Sequence, residues 1–242
     1  MIGATQGTGN QIANLLLRDG YQVRALVRNE AKGKAKLNPA VEIVLGDVTK
    51  PDTLPSAIKD ADCIIFTAGV TQRPASEPLI IATEYEGVKN TLAAANDAGF
   101  SGRFLYMTSI GVRKSSLAAT FLNLVKGNTL KWRKLAEDEI RSSGLEYTII
   151  RAGFLMNSLG GRRAIEVSQN DHPLALRYRI SRADVAEVFV QVLKHPTTRR
   201  TTFEVVWAKA GRRHGWDVLF RQLTPDARDD LKYYRQSNVK PD

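Results

Sequence analysis

Gly3-Ala4-Thr5-Gln6-Gly7-Thr8-Gly9 is the stretch on which the reading of this chain turns. Behind it Ile12, Leu15 and Leu16 recur at helical spacing, Gly20 stops the helix, and residues 21–27 read as a buried strand. Glycine loop, helix, strand is the order of a βαβ unit that carries an anion at its first turn. A pyrophosphate needs backbone N–H groups, clear of side chains, at the positive end of a helix dipole. Gly3 lets the chain leave a first strand in a tight turn, Gly7 lets backbone approach the phosphate, and Gly9 lets the helix pack close to the sheet. The spacing is G-x-x-x-G-x-G, not G-x-G-x-x-G, so the expectation of a dinucleotide seat rests on the strand and helix around it.

The end of the second strand distinguishes the dinucleotides. A carboxylate there binds a ribose 2′-hydroxyl, whereas a guanidinium accommodates a 2′-phosphate. This chain has Val27-Arg28-Asn29, with no acid before Glu30. Arg28 therefore points to NADP(H), because its fork matches phosphate geometry. Arg24 lies on the strand itself and is not expected to reach the ligand.

Further along, strands and helices alternate. A third strand over residues 41–45 ends at Gly46-Asp47-Val48, where a carboxylate can accept from an adenine amino group and Val48 can pack on the ring. A short helix over 51–59 precedes a buried strand at 63–66, which ends in Thr67-Ala68-Gly69, small enough for a cofactor to cross. A helix over 79–98 carries Ile81, Tyr85, Val88, Leu92 and Ala95 on one face. The strand 104–107 delivers Thr108 and Ser109 to the same carboxyl edge; a helix over 128–143 and a strand over 147–150 then lead to Arg151-Ala152-Gly153. This alternation predicts an α/β fold, a doubly wound parallel sheet of Rossmann-like type with ligands at the carboxyl edge. Residues 116–125 are expected to cover the site or contact a partner. The last part, 151–242, is expected to be the substrate side of a single domain spanning 1–242. It holds the capping box Ser181-x-x-Asp184, a helix after it, a strand over 202–207 and a basic, mostly helical tail.

Only Met1 and Ile2 precede Gly3, fewer than a central strand usually has, so the natural chain is expected to carry more apolar residues before them. The 43% hydrophobic and 25% charged fractions are those of an ordinary globular protein, and with no spanning stretch and no signal peptide the expectation is cytoplasmic, without a membrane partner. The net charge of +10 favours anionic ligands. Nucleic acid is not expected, because the basic residues are scattered without interleaved aromatics. Arg199, Arg200, Arg212 and Arg213 form the densest basic region and read as a solvated face. Cys63 is the only cysteine, which excludes a disulfide within the chain and a thiolate metal site; it reads as a buried structural thiol. His172, His195 and His214 lack metal-ligand spacing, so no metal is expected and none is assigned a catalytic role.

With these residues in place the chain resembles the atypical short-chain dehydrogenase/reductase superfamily, in its NAD(P)H-binding, NmrA-like branch. The carriers are the glycine loop, Ala25-Leu26-Val27-Arg28, Gly46-Asp47-Val48, Thr108-Ser109-Ile110-Gly111, the run from Ser143 to Arg151, and Ser181-Arg182-Ala183-Asp184-Val185-Ala186. The resemblance implies that Asp47 and Val48 face adenine, that Ala68 and Gly69 pass beneath the cofactor, and that Ser109 stands near the nicotinamide. Active members of the superfamily use a tyrosine four residues before a lysine to donate a proton. Here Lys134 has Leu130 four positions earlier and Arg133 has Thr129, so neither alignment offers a phenol; Gln6 stands where glycine is frequent.

The expected cofactor-binding set is Gly3, Thr5, Gln6, Gly7, Thr8, Gly9, Arg28, Asp47, Val48, Thr67, Ala68, Gly69, Thr108, Ser109, Arg151, Ala152 and Gly153, with Ser109 and Lys134 as candidate catalytic residues. Three activities are compatible with it. One is an NADP(H)-dependent oxidoreductase acting on a small molecule: an enone, quinone, imine or activated carbonyl. Another is a redox sensor or assembly factor that binds NADP(H) without turnover and acts on a protein partner. The third is an isomerase or epimerase using transient hydride transfer.

Overall fold

The computed structural model describes residues 1–71, 75–114, 116, 119–120, 122–123 and 128–227. Its strands are β1 (Arg24–Val27), β2 (Glu42–Leu45), β3 (Cys63–Phe66), β4 (Arg103–Ser109), β5 (Glu146–Ala152), β6 (Phe154–Met156), β7 (Ile165–Ser168), β8 (Arg179–Ser181) and β9 (Thr201–Trp207). β2 pairs with β1, and β3-β4-β5-β9-β7 run side by side. Ile2 joins these two groups, bridging Leu26 of β1 and Phe66 of β3 in parallel. Its N–H donates to Ile65 O and its carbonyl accepts from Thr67 N, both at 2.9 Å. Gly3 then leaves the sheet at φ +89°, and the helix Gly7–Arg18 begins.

The sheet is parallel except at one edge, where β7 runs antiparallel to β9. The expected doubly wound parallel sheet is present, with β7 as an antiparallel edge strand. Between β6 and β7 the chain makes no crossover helix; a parallel return needs one, so β7 enters from the edge at which β5 left. The three-residue ribbon of β6 with β8 beside it was also not foreseen.

Strand alternation serves two cores, as a sheet covered on both faces requires. Leu105 and Ile150 join Ile12, Leu16, Val188 and Phe189 beneath the helices Gly7–Arg18 and Arg182–Lys194. Phe104, Tyr106 and Ile149 join Val88, Leu92 and Ile140 beneath the helices Gly87–Asp97 and Thr129–Ser142.

The helix expected over 79–98 is broken in register: one α-turn at Glu77–Ile80, a π-helical segment at Ile81–Glu86, then Gly87–Asp97. The wider π-turn brings Glu84 into the interior, at 2% exposure. The expected capping box forms: Ser181 Oγ accepts from Asp184 N at 2.9 Å and donates to Asp184 Oδ2 at 2.7 Å. The expected helical tail has one described helix, Trp216–Arg221; residues 228–242 of the tail, and 117–118, 121 and 124–125 of the expected covering segment, lie outside the described residues. Among the described residues no helix is long and apolar enough to cross a membrane.

Candidate functional site

The carboxyl ends of β1 to β5 open into one cleft of about 1160 Å³. It is lined by Gly3, Thr5, Gln6, Gly7, Thr8 and Gly9 from the loop, Arg28 after β1, Asp47 and Val48 after β2, Thr67, Ala68 and Gly69 after β3, Thr108 and Ser109 of β4, and Ala152 and Gly153 at β5. All but one of the expected cofactor-binding residues are therefore brought together.

The glycines are there for space and conformation. A β-carbon at Gly9 would lie 2.2 Å from Gly3 O and 2.5 Å from Thr67 Oγ1, so helix and strand close to a distance only glycine permits. Gly7 takes φ +58° and opens the helix. The residue before it, Gln6, caps nothing with its side chain, and the first turn carries no acid, which leaves the dipole end to an external anion.

Two hydroxyls test whether the cleft suits a polar ligand. Thr8 and Thr108 both line it, at 3% and 2% exposure, and among the described residues neither hydroxyl has a hydrogen-bond partner. Buried hydroxyls are ordinarily paired, so a cleft with two unpaired ones beside a glycine loop fits a ligand rich in acceptors. A dinucleotide is such a ligand.

Around β1 the lining adds Asn29 and Lys32 to Arg28, two residues the sequence reading passed over. Asn29 Oδ1 accepts from Lys32 N at 2.8 Å, which caps the helix Glu30–Lys36 and holds Lys32 at the cleft. At the opposite end the lining is apolar, with Leu79, Leu122, Leu130, Phe154, Leu155 and Leu174.

Two expected residues are elsewhere. Arg151 is on β5 between Ile150 and Ala152 and points to the other face, where Nη2 donates to Glu137 Oε2 and Nη1 to Asp171 Oδ1, both at 2.6 Å. Lys134 pairs with Asp138 at 3.0 Å and does not line the cleft. The helix instead turns Thr129 and Arg133, the other alignment, into it. Arg133 Nε donates to Glu84 Oε2 at 2.7 Å and Thr129 Oγ1 to the same oxygen at 2.8 Å. Val70 N donates to Glu84 Oε1 at 2.8 Å. Burial of Glu84 opposes its charge, but the Arg133 charge and these hydrogen bonds hold its pKa below the ordinary carboxylate value. Arg133 is held above its own ordinary value: burial alone would lower it, and Glu84 overcomes that. Ser109 does line the cleft, with Oγ donating to Ile110 O at 3.0 Å.

A glycine loop on a helix N-terminus, opening at the carboxyl edge of a parallel sheet, defines a dinucleotide-binding α/β protein. Residues 3–196 match the NAD(P)H-binding family model, and the chain belongs to that family, within the atypical short-chain dehydrogenases/reductases. It is 32% identical over 244 aligned positions to sanguinarine reductase of Eschscholzia californica, covering 85% of this chain and 88% of that one. Photosystem II assembly factor Ycf39 of Trieres chinensis is 27% identical over 89% of this chain, which spans 64% of that protein's length. Among solved structures, a putative NAD-dependent epimerase/dehydratase from Bacillus halodurans superposes with a TM-score of 0.72 at 26% identity, covering 86% of this chain and 92% of its own.

Proposed function

We propose that the chain is an NADP(H)-dependent reductase of acceptors that require no proton from the protein: an enone, a quinone, an imine or an activated carbonyl. The observation that carries this reading is the chemistry of the cleft wall. Among the described lining residues there is no tyrosine, histidine or cysteine. Thr129 and Arg133 stand where the superfamily's phenol and lysine are expected. Both donate to Glu84, and neither has an acidity suited to proton donation near neutral pH.

The glycine loop would hold the pyrophosphate, Arg28 and Lys32 a 2′-phosphate, and Asp47 and Val48 the adenine. Thr67 to Gly69, Thr108 and Ser109 would border the nicotinamide riboside. When bound, a reduced nicotinamide supplies hydride. Arg133, its charge balanced by Glu84, would offer N–H donors to polar groups of the ligand. The leucines and Phe154 exclude water from an apolar acceptor and favour a flat, poorly charged one.

The same missing acid supports a second reading, a protein that binds NADP(H) without turnover and acts through a protein partner. The likeness to an assembly factor supports it as well. Fluorescence titration with NADPH and NADH, on the natural protein and on Arg28→Ala, tests the cofactor. Tighter NADPH binding that the substitution abolishes is expected. Following NADPH oxidation against a quinone, a cyclic iminium and an enone then separates the two readings: turnover with any of them supports the reductase, and binding without turnover supports the second reading.

A further inference from the structure

Arg182 is the first residue of the helix Arg182–Lys194, in the last third of the chain, yet it lines the cleft beside the glycine loop. A β-carbon at Gly7 would find Arg182 Nε at 3.7 Å and Cδ at 4.0 Å, with no nearer neighbour outside the loop. The guanidinium thus lies beside Gly7, the first residue of the helix Gly7–Arg18. Its Nη1 donates to Asn157 Oδ1 at 2.6 Å and to Leu155 O at 3.3 Å. Both acceptors are uncharged. Among the described residues no carboxylate lies within ion-pair distance of Arg182: Asp184, two positions on, is occupied by Gly161 N, Ser181, Trp207 and Arg213.

The other cations of the cleft are placed differently. Arg133 is neutralised by Glu84, and Arg28 and Lys32 belong to the end of β1, where a 2′-phosphate is read. Arg182 is left as a charge without a carboxylate partner, close to the first turn of a helix whose N–H groups themselves attract an anion. Like poles across a gap are stabilised by a negative group between them.

We infer that Arg182 is the pyrophosphate clamp of this protein: its guanidinium closes on the diphosphate from the side opposite the glycine loop. Because the same guanidinium holds Leu155 O and Asn157, it also fastens the rim of the substrate end to the occupied cofactor site. This rests on the cofactor reading above and adds a residue and a coupling to it.

The test compares Arg182→Gln and Arg182→Lys with Arg28→Ala, measuring by calorimetry the affinity for NADPH, NADH, ADP-ribose and adenosine 2′-monophosphate. The last carries the 2′-phosphate and no diphosphate. Arg182→Gln should weaken NADPH, NADH and ADP-ribose together by about tenfold or more and leave adenosine 2′-monophosphate unchanged. Arg28→Ala should show the complementary pattern, weakening NADPH and adenosine 2′-monophosphate alone. Arg182→Lys, which keeps the charge and loses the fork, should fall between and serves as the folded control. Hydrogen exchange gives a readout without turnover: NADPH should protect amides at 155–159 in the natural protein and not in Arg182→Gln. Equal affinity of Arg182→Gln and the natural protein for ADP-ribose would overturn the clamp, as would an equal loss for all four ligands. Failure of the natural protein to bind any of the four would instead overturn the cofactor reading on which the clamp rests.

Discussion

Arg133 Nε, at the cleft wall, donates to the buried Glu84 Oε2 at 2.7 Å, linking the helix Thr129–Ser142 to the π-turn at Ile81–Glu86. The other carboxylate oxygen holds Val70 N at 2.8 Å, so one buried acid sets the loop after β3 and the start of the helix that would carry catalysis. A β-carbon at Gly69 would sit 3.0 Å from Arg133 Nη2 and 3.2 Å from Glu84 Oε1, which leaves that loop little freedom to move toward the pair.

Glu84→Gln is expected to destabilise the protein by about 3 kcal/mol, since it leaves a largely buried guanidinium without its counter-charge. The pH dependence has a definite sign. Glu84 has a depressed folded pKa, so its contribution is present above the unfolded carboxylate value and is lost as pH falls through the folded one. Urea unfolding of both proteins at neutral and acid pH should show the gap between them narrowing on acidification.

Gly9→Ala and Gly7→Ala separate two uses of glycine. At Gly9 the new carbon meets backbone at 2.2 Å, so the variant should lose several kcal/mol, or fail to accumulate folded protein. Gly7→Ala meets only the flexible Arg182 side chain, at 3.7 Å, and should cost about 1–2 kcal/mol for its φ of +58°. Thermal melting of the two variants is the measurement.

Glu137 is fully buried and holds Arg141 Nη2 at 2.8 Å and Arg151 Nη2 at 2.6 Å. Its burial works against the charge, and the two guanidinium groups outweigh that and depress its pKa. Glu137→Gln should therefore cost about 3–5 kcal/mol at neutral pH. Its loss relative to the natural protein should shrink in acid, for the same reason as at Glu84. Affinity for NADPH, measured below the unfolding transition, should stay within about twofold, because Glu137 does not line the cleft.

Lys134→Ala should change stability by about 0.5 kcal/mol or less, its Asp138 pairing being a partly exposed i,i+4 contact. It should leave nucleotide affinity alone, whereas Arg133→Ala should weaken NADPH binding severalfold and lower stability by leaving Glu84 buried and unpaired. Reversal of that order in a fluorescence titration would restore Lys134 as the site residue.

The glycine loop, Arg28, the small residues after β3 and the pair at the end of β4 could be read in advance because each sits at a strand end, where local pattern dictates position. Cys63–Phe66 was read to the residue for that reason. Glu84 could not be: a regular helix would not place it so, and the π-turn that does has no local signature. Arg133 was in view as the other alignment, but choosing between neighbours on a helix needs its rotation, which tertiary packing sets. Arg182 was visible as the second residue of a capping box and nothing more, since its approach to Gly7 joins segments 175 residues apart in sequence. Arg151 failed through strand alternation, which puts its neighbour Ala152 at the cleft and itself behind it.

Asp184 is the point at which the last third is tied down: it receives Gly161 N at 2.8 Å, Ser181 Oγ at 2.7 Å and Trp207 Nε1 at 2.8 Å, with Arg213 Nη1 at 3.4 Å. Four points of the last third are thus fastened to a single carboxylate at the first turn of one helix. Lengthening the turn around residues 157–160, whose Asn157 lines the cleft, would reshape the cleft rim while the anchors keep their places. On the reductase reading, diversity in acceptor preference would be confined to spans between fixed posts, with the glycine loop left undisturbed.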